Sequence, residues 1–201
     1  MTHEYNIAGI QQVGIGVENL YEAWKYYIEL FQMDIRILED NKVAELMLPY
    51  TGGKPQRRHA AIAVNMQGGG GFEVWQYTER QPQPLAFGLQ MGDLGVLVCK
   101  LRSRDVARAF DAFSRNPGAM VVGGLNNNID GNQTFYLMDP YRNLFQVVQD
   151  DYLFKDEGRL TGGVAGVTIG VTDIERAMTV YRDILGYDTV VADETGIFPD
   201  F

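Results

Sequence analysis

A single carboxylate interrupts an apolar stretch of the sequence, "GGGGFEVWQY", which ends at Tyr77. Alternation along an extended strand places Glu73 on the same side as two aromatic residues, Trp75 and Tyr77. A carboxylate inside an apolar strand is costly unless it is paired or protonated. An apolar environment favours exchange of a proton near neutral pH, so Glu73 is a candidate general base that acts beside a carbonyl group. The alternative is a structural Glu73, hydrogen-bonded to Gln12 or to a basic residue.

A second polar residue begins the first predicted strand, "QVGIGV". Alternation puts Gln12, Gly14 and Gly16 on one side of that strand. Small residues opposite Trp75 and Tyr77 would leave a hollow lined by aromatic rings and amides, which suits a small organic ligand. The alternative is that these side chains fill the hollow themselves.

Other chemistry is less well supported by the residues. His59 opens the predicted strand "HAAIAVN" and is a candidate contact to a ligand or metal, with a surface histidine bonded to backbone as the alternative. Nucleophilic catalysis has no support, because Ser103 and Ser114 lie on or beside a predicted helix with no histidine near them. The four glycines lack the Lys-Ser/Thr ending of a phosphate loop, and a strand follows them where a helix should.

The composition excludes several classes of partner. The chain has 201 residues, 46% of them hydrophobic, and a net charge of −9. An acidic surface argues against nucleic acid and anionic membrane as main partners. The single cysteine, Cys99, permits no intramolecular disulfide, which fits a reducing compartment. With no apolar run of membrane-spanning length and no signal pattern at the start, we expect a cytoplasmic protein.

Two units share one order of elements, with a strand, a helix and about three strands in each. In the first unit, the stretches "DIRILED" and "VAELMLP" are predicted to form one long strand or two short ones. They cover residues 7–78 and 92–150, and together they predict one domain over residues 1–152. A connector follows at 153–163, and a third, truncated β-α-β unit at 164–201.

The third unit is an internal repeat. "VAGVTIGVTDIERAMTVYRDILGYD" aligns without a gap on "IQQVGIGVENLYEAWKYYIELFQMD" across the strand and the helix. The last two strands of a full unit do not fit before the end of the sequence. Half a unit leaves an apolar face and an open edge, so we expect it to be disordered or completed by another chain.

Three stretches resemble the vicinal oxygen chelate superfamily, which includes glyoxalase I, bleomycin-resistance proteins and extradiol dioxygenases. They are "QVGIGVEN" with the following Ala and Tyr-Tyr, "DPYRNLFQVVQ", and "GVTIGVTDIERAMTVYRDILGYD". The resemblance covers nearly all of residues 7–190. It implies an α+β fold in which paired β-α-β-β-β modules form a cupped mixed sheet with helices outside, followed here by an incomplete third module.

The resemblance also implies where a metal would bind. The superfamily commonly takes ligands from the first and last strands of each module, and the matching positions here are Gln12, Glu73 and Gln146. One carboxylate and two neutral amides leave a dication under-neutralised. We therefore expect either no cofactor or a weakly bound divalent metal (Zn, Ni, Mn or Fe).

The resemblance implies a glyoxalase-like lyase or isomerase, related to lactoylglutathione lyase, that acts on a small carbonyl or thiol-adduct substrate. Glu73 would be catalytic, and the substrate would meet the residues Gln12, Trp75, Tyr77, Gln146 and His59. The alternative is a non-catalytic protein that sequesters a small molecule, as bleomycin-resistance proteins do. Extradiol dioxygenase chemistry is disfavoured because it needs two histidines and a carboxylate, and only His3 and His59 exist. A homodimer is expected, or completion of the third module by another chain.

Overall fold

A computed structural model describes residues 7–197 of the chain. The first module contains β1 (Gln12–Gly16), α1 (Leu20–Phe31), β2 (Ile35–Val43), a 3₁₀ helix (Glu45–Tyr50), β3 (Arg57–Asn65) and β4 (Gly70–Tyr77). The second contains β5 (Gly95–Ser103), α2 (Val106–Arg115), β6 (Met120–Asn127), β7 (Gln133–Met138) and β8 (Leu144–Gln149). The third repeat contributes β9 (Val164–Gly170) and α3 (Ile174–Tyr181). The predicted α+β class and the repeated order of elements are confirmed.

The strands form two mixed sheets, ordered β1-β4-β3-β2 and β6-β7-β8-β5-β9. In each module the first strand runs parallel to the last, with Gly14 beside Glu73 in one sheet and Lys100 beside Gln146 in the other. The fifth strand of the second sheet comes from the third repeat, since β9 pairs antiparallel with β5. First strands of two modules therefore pair edge to edge.

Residues at the two ends of α1 determine where this helix starts and stops. The Asn19 side chain accepts hydrogen bonds from the backbone N–H groups of Tyr21 and Glu22, at 3.1 and 3.3 Å, and so caps the helix start. The helix ends where Gln32 adopts the left-handed conformation, with a φ of 56°. Within residues 7–197, no helix has the length and apolar composition that crossing a bilayer requires.

Both sheets pack onto one core through the faces that carry the helices. Five aromatic side chains from α1, α2, β4 and β8 meet there: Tyr27, Phe31, Phe72, Phe113 and Phe145. The Phe31 ring centre lies 5.0 Å from that of Phe145 and 6.2 Å from that of Phe113. The helices α1 and α2 thus each cover one face of their own sheet, and the other face of each sheet points away from the shared core. We call the latter the helix-free face.

Two local predictions differ from the structure. The stretch "VAELMLP" was expected to extend as a strand, but most of it forms the 3₁₀ helix, in which Pro49 lacks the N–H group that a strand ladder needs. A second strand was expected in the third repeat, and residues 182–197 contain none. Side chains of that segment, such as Val191, are mostly exposed, and strand pairing there would need a neighbour that the described chain does not supply.

The connector after β8 binds the two modules together. The Phe154 N–H donates to the Gln67 carbonyl at 2.8 Å, and the Asn65 side chain donates to the Thr161 carbonyl at 3.0 Å. A Cβ added at Gly68 would lie 1.7 Å from the Gly162 carbonyl oxygen. The first of the four glycines is therefore a packing requirement, because only a residue without a side chain lets the connector approach so closely.

Candidate functional site

The structure brings Gln12 and Glu73 together on the helix-free face of the first sheet. Gln12 Nε2 donates a hydrogen bond to Glu73 Oε2 at 3.1 Å. The parallel register of β1 and β4 places Gly14 directly beside Glu73, and a Cβ at Gly14 would meet no atom within 4 Å. One carboxylate oxygen is thus held by an amide, and the glycine leaves open space next to it.

Two aromatic rings continue the same face along β4. Trp75 and Tyr77 pack edge to face, with ring centres 5.9 Å apart. The guanidinium carbon of Arg58 lies 5.1 Å from the centre of the Trp75 ring, and that of Arg80 lies 5.5 Å from the Tyr77 ring. Cations at these distances are attracted to the negative faces of the rings. An acid, an amide, two rings and two guanidinium groups therefore line this face.

Arg58 is fixed by a carboxylate on the neighbouring strand. Its guanidinium donates to Asp40 Oδ2 and to the Asp40 carbonyl, both at 3.0 Å. The hydrogen bond from Arg58 holds the pKa of Asp40 below its usual value. The Nε of Arg58 is buried and has no hydrogen-bond partner among the described residues. The structure therefore adds Arg58 to the residues expected at this face.

His59 lies on the opposite face of the sheet, beside α1. Its Nε2 is 2.9 Å from Glu39 Oε1, which also accepts a hydrogen bond from the Tyr21 hydroxyl at 2.7 Å. Hydrogen bonds from Tyr21, then His59 and Arg36, lower the pKa of Glu39 to about 2. Since successive residues of a strand point to opposite faces, His59 faces the helix while Arg58 faces Trp75. The structure does not bring His59 together with Glu73.

Gln146 belongs to the second sheet. Its Nε2 donates to Asn128 Oδ1 at 3.1 Å, and the side chain is almost fully buried. The shared aromatic core separates its helix-free face from that of the first sheet. Gln12 and Glu73 therefore meet as a pair, and Gln146 does not complete that pair within the described chain.

The donor set at the first face does not fit a divalent metal. Among residues 7–197, no group of three or more His, Cys, Asp or Glu side chains is placed to hold an ion. Glu73 offers one carboxylate, and Gln12 turns an amide N–H toward it rather than an oxygen. Zn²⁺ and similar ions require three or four protein ligands, most of them charged or imidazole.

Cys99 and a surface groove beside α2 lie away from this face. Cys99 is buried in the core, and desolvation raises the pKa of its thiol to about 12, so it stays protonated and poorly nucleophilic. The groove, of about 750 Å³, runs between α2 and the connector and is lined by residues such as Asp105, Arg108 and Arg159. It is wide open, and none of its lining residues contacts Glu73.

No family model matches the sequence, and no curated protein matches it. Solved structures do. The glyoxalase family protein APC24694 from Bacillus cereus aligns with a TM-score of 0.56 at 18% identity, over 74% of this chain and 98% of that one. Glyoxalase I from Zea mays aligns with a TM-score of 0.57 at 18% identity, over 89% of this chain and 55% of that one.

The chain therefore has the vicinal oxygen chelate fold, built from paired β-α-β-β-β modules. The resemblance seen in the sequence is confirmed at the level of the fold. The chain spans about half the length of the maize enzyme, and identities of this size establish architecture rather than chemistry.

Proposed function

We propose that the protein is a glyoxalase-like lyase or isomerase that binds a small carbonyl or thiol-adduct substrate on the first helix-free face, with Glu73 as its base. The observation that carries the proposal is the Gln12–Glu73 pair beside the open position at Gly14. A carboxylate next to free space and an aromatic wall can receive a substrate without displacing a side chain. The fold neighbours named as glyoxalases make this chemistry the first to test.

The mechanism uses the two oxygens of Glu73 differently. Oε2 is held by Gln12, which fixes the orientation of the carboxylate. Oε1 accepts a proton from the carbon next to the substrate carbonyl, and the electron pair of that C–H bond moves toward the carbonyl oxygen. The second N–H of Gln12 donates a hydrogen bond to that oxygen as it gains charge. The hydroxyl proton of the substrate passes to the former carbonyl oxygen, so the carbon that lost its C–H proton becomes the new carbonyl carbon. Glu73 returns its proton to the former carbonyl carbon, and the product is an isomer of the substrate.

The alternative is a protein that sequesters a small aromatic or planar ligand without reaction. Trp75 favours it, because the ring carries a guanidinium on one side and lies on a face where small residues leave room. A ligand stacked there would not need Glu73 to exchange a proton.

We also propose that a second chain completes the assembly, as a homodimer or by completing the third module. β1 is an edge strand of the first sheet, whereas β9, its sequence repeat, is paired with β5. An unpaired edge of this kind is a template for another strand. In the third repeat, α3 buries no residue, and Ile174 is 68% exposed.

The test of the enzyme proposal compares Glu73→Gln with Glu79→Gln, an exposed acid just beyond the same strand. The substrate is the hemithioacetal formed from a small 2-oxoaldehyde and a thiol. We expect Glu73→Gln to lower kcat by about 100-fold or more, because the amide cannot accept the proton. Glu79→Gln should leave kcat unchanged, since Glu79 only pairs with Arg57 at the surface.

Fluorescence distinguishes the enzyme proposal from the sequestration proposal. A ligand at the first face should change the fluorescence emission of Trp75. The change should vanish in Trp75→Phe. It should persist in Trp24→Phe, because Trp24 lies on α1 and donates to the Met33 carbonyl. Equal rates for wild type and Glu73→Gln, with the fluorescence change retained, would support sequestration. Neither turnover nor a fluorescence change would contradict both.

A further inference from the structure

The pairing of β5 with β9 places a lysine in the middle of the second helix-free face. Lys100 lies between Gln146 of β8 on one side and Gly166 of β9 on the other. Its chain neighbours Cys99 and Leu101 point into the shared core, so the Lys100 side chain points away from it. A bulge at Ala165 keeps Gly166 in phase with Lys100, while Val164 turns into the core.

Lys100 has room around its stem and no ion-pair partner within residues 7–197. A Cβ at Gly166 would lie 3.8 Å from Lys100 Cδ, so the aliphatic stem passes over the glycine. Among the described residues, no carboxylate lies within ion-pair distance of its ammonium group, whereas Arg58 and Arg102 each have one. Hydrogen bonds from Asn132 lower the pKa of Asp130, and the positive charge of Lys100 adds to this lowering. A half-buried ammonium group that no described carboxylate neutralises can accept an anion from solution.

The amide of Gln146 lies beside this lysine, and a second amide, that of Asn128, is bonded to it. Gln146 is only 4% exposed, and its hydrogen bond to Asn128 holds both side chains in place. That bond uses one hydrogen of the Gln146 amide and leaves the second free. The position that holds Glu73 in the first sheet thus holds an amide in the second, and the position of Gly14 holds an ammonium group. At this pair of positions the first face carries a negative carboxylate, whereas the second face carries a positive ammonium group.

We propose that the second helix-free face is a binding site for a small carboxylate anion, held by Lys100 Nζ and oriented by the amides of Gln146 and Asn128. A cation at the centre of the face repels a metal ion and attracts an anion. A carboxylate accepts charge-assisted hydrogen bonds from ammonium groups and further bonds from amide donors. The site is separate from Glu73, so it does not depend on the function proposed for the first face.

The test titrates the full chain with oxalate at constant ionic strength and follows backbone amides by NMR. We expect the resonances of Lys100, Gln146 and Gly166 to shift with saturation. Lys100→Met should weaken binding at least tenfold, and Lys100→Arg should keep it within a few-fold. Lys25→Met is the matched control, because Lys25 is an exposed lysine on α1, and it should bind as wild type does.

Other outcomes overturn the proposal. Oxalate that shifts none of the three resonances, or binds Lys100→Met as tightly as wild type, would exclude the site. Equal shifts with oxamide, its neutral analogue, would show that charge is not recognised. The amide spectrum of Lys100→Met without ligand reports whether that variant folds, and Lys100→Arg carries the test if it does not. Glu73→Gln should bind oxalate normally, which separates this site from the first face.

Discussion

A buried acid outside both helix-free faces accepts four hydrogen bonds. Asp139 is 1% exposed and accepts hydrogen bonds from the Tyr27 hydroxyl at 2.6 Å, the backbone N–H groups of Tyr141 and Asn143, and the Asn143 side chain. Burial, together with the charge of Asp139, raises the pKa of Tyr27. Because Tyr27 belongs to α1 and Asp139 to the turn before β8, this one bond links the two modules.

Removal of the Tyr27 hydroxyl should destabilise the fold. In Tyr27→Phe a buried carboxylate loses one donor, and hydrogen bonds to charged groups are worth about 1.5–3 kcal/mol. We expect the free energy of unfolding, measured with urea, to fall by about that amount. Tyr26→Phe is the control, since the Tyr26 hydroxyl bonds to no other described residue, and it should change stability by less than about 0.5 kcal/mol. A similar loss in both variants would contradict the role given to Asp139.

At this scale a hydrogen bond from Gln12 was one of the alternatives that the sequence left open for Glu73, and the surroundings of the pair were not predicted. Alternation alone places Glu73, Trp75 and Tyr77 on one face, because that pattern is local. The same rule could have placed His59 on the helix side, in phase with the buried Ala61 and Ala63. The register of β5 was not predictable, because it depends on pairing with β8 and β9, which lie far away in the sequence.

At the scale of elements, the connector packs tightly against the glycine run before β4. The structure places Gly68 and Gly69 in the turn before β4, and Gly70 and Gly71 within the strand. No pattern in the sequence indicates what these glycines touch. Gly68 meets Gly162, and Gly163 adopts a φ of 89° beside Gly70. The contact joins segments almost a hundred residues apart, so no local pattern could reveal it.

Gly68→Ala should therefore be strongly destabilising. The added methyl group would overlap the Gly162 carbonyl, and overpacking of this kind costs about 1–3 kcal/mol. A drop in the midpoint of thermal unfolding measures the effect. Gly124→Ala, at a strand position with open space around it, should shift the midpoint little. Equal midpoints for the two variants would contradict the importance of the contact between Gly68 and Gly162.

On the scale of the whole molecule, one core serves two modules, whereas the third repeat contributes little to it. The cluster includes residues of α1 and α2 but only Val164 from the third repeat. Periodicity predicted the modules because each is local in sequence. It could not predict that their helix-bearing faces would pack on each other, since that depends on the fit of Phe31 between Phe113 and Phe145.

Rates of amide hydrogen exchange should differ between the third repeat and the two complete modules. Residues of α3 bury no side chain, so we expect their amides to exchange much faster than those of α1 and α2, through local opening. The amides of α1 and α2 should exchange together, at the rate of global unfolding. Mass spectrometry of exchanged peptides measures this. Equal protection of α3 and α1 would show that the third repeat is held by contacts that a single described chain does not contain.

The back-to-back arrangement of the sheets has a thermodynamic consequence. Ligands on the two helix-free faces could never touch, so one cannot exclude the other by steric competition. Linkage between them would have to pass through the aromatic layer of Phe31, Phe72 and Phe145. A close-packed layer has few alternative arrangements. A ligand on one face should therefore leave the affinity of the other face unchanged.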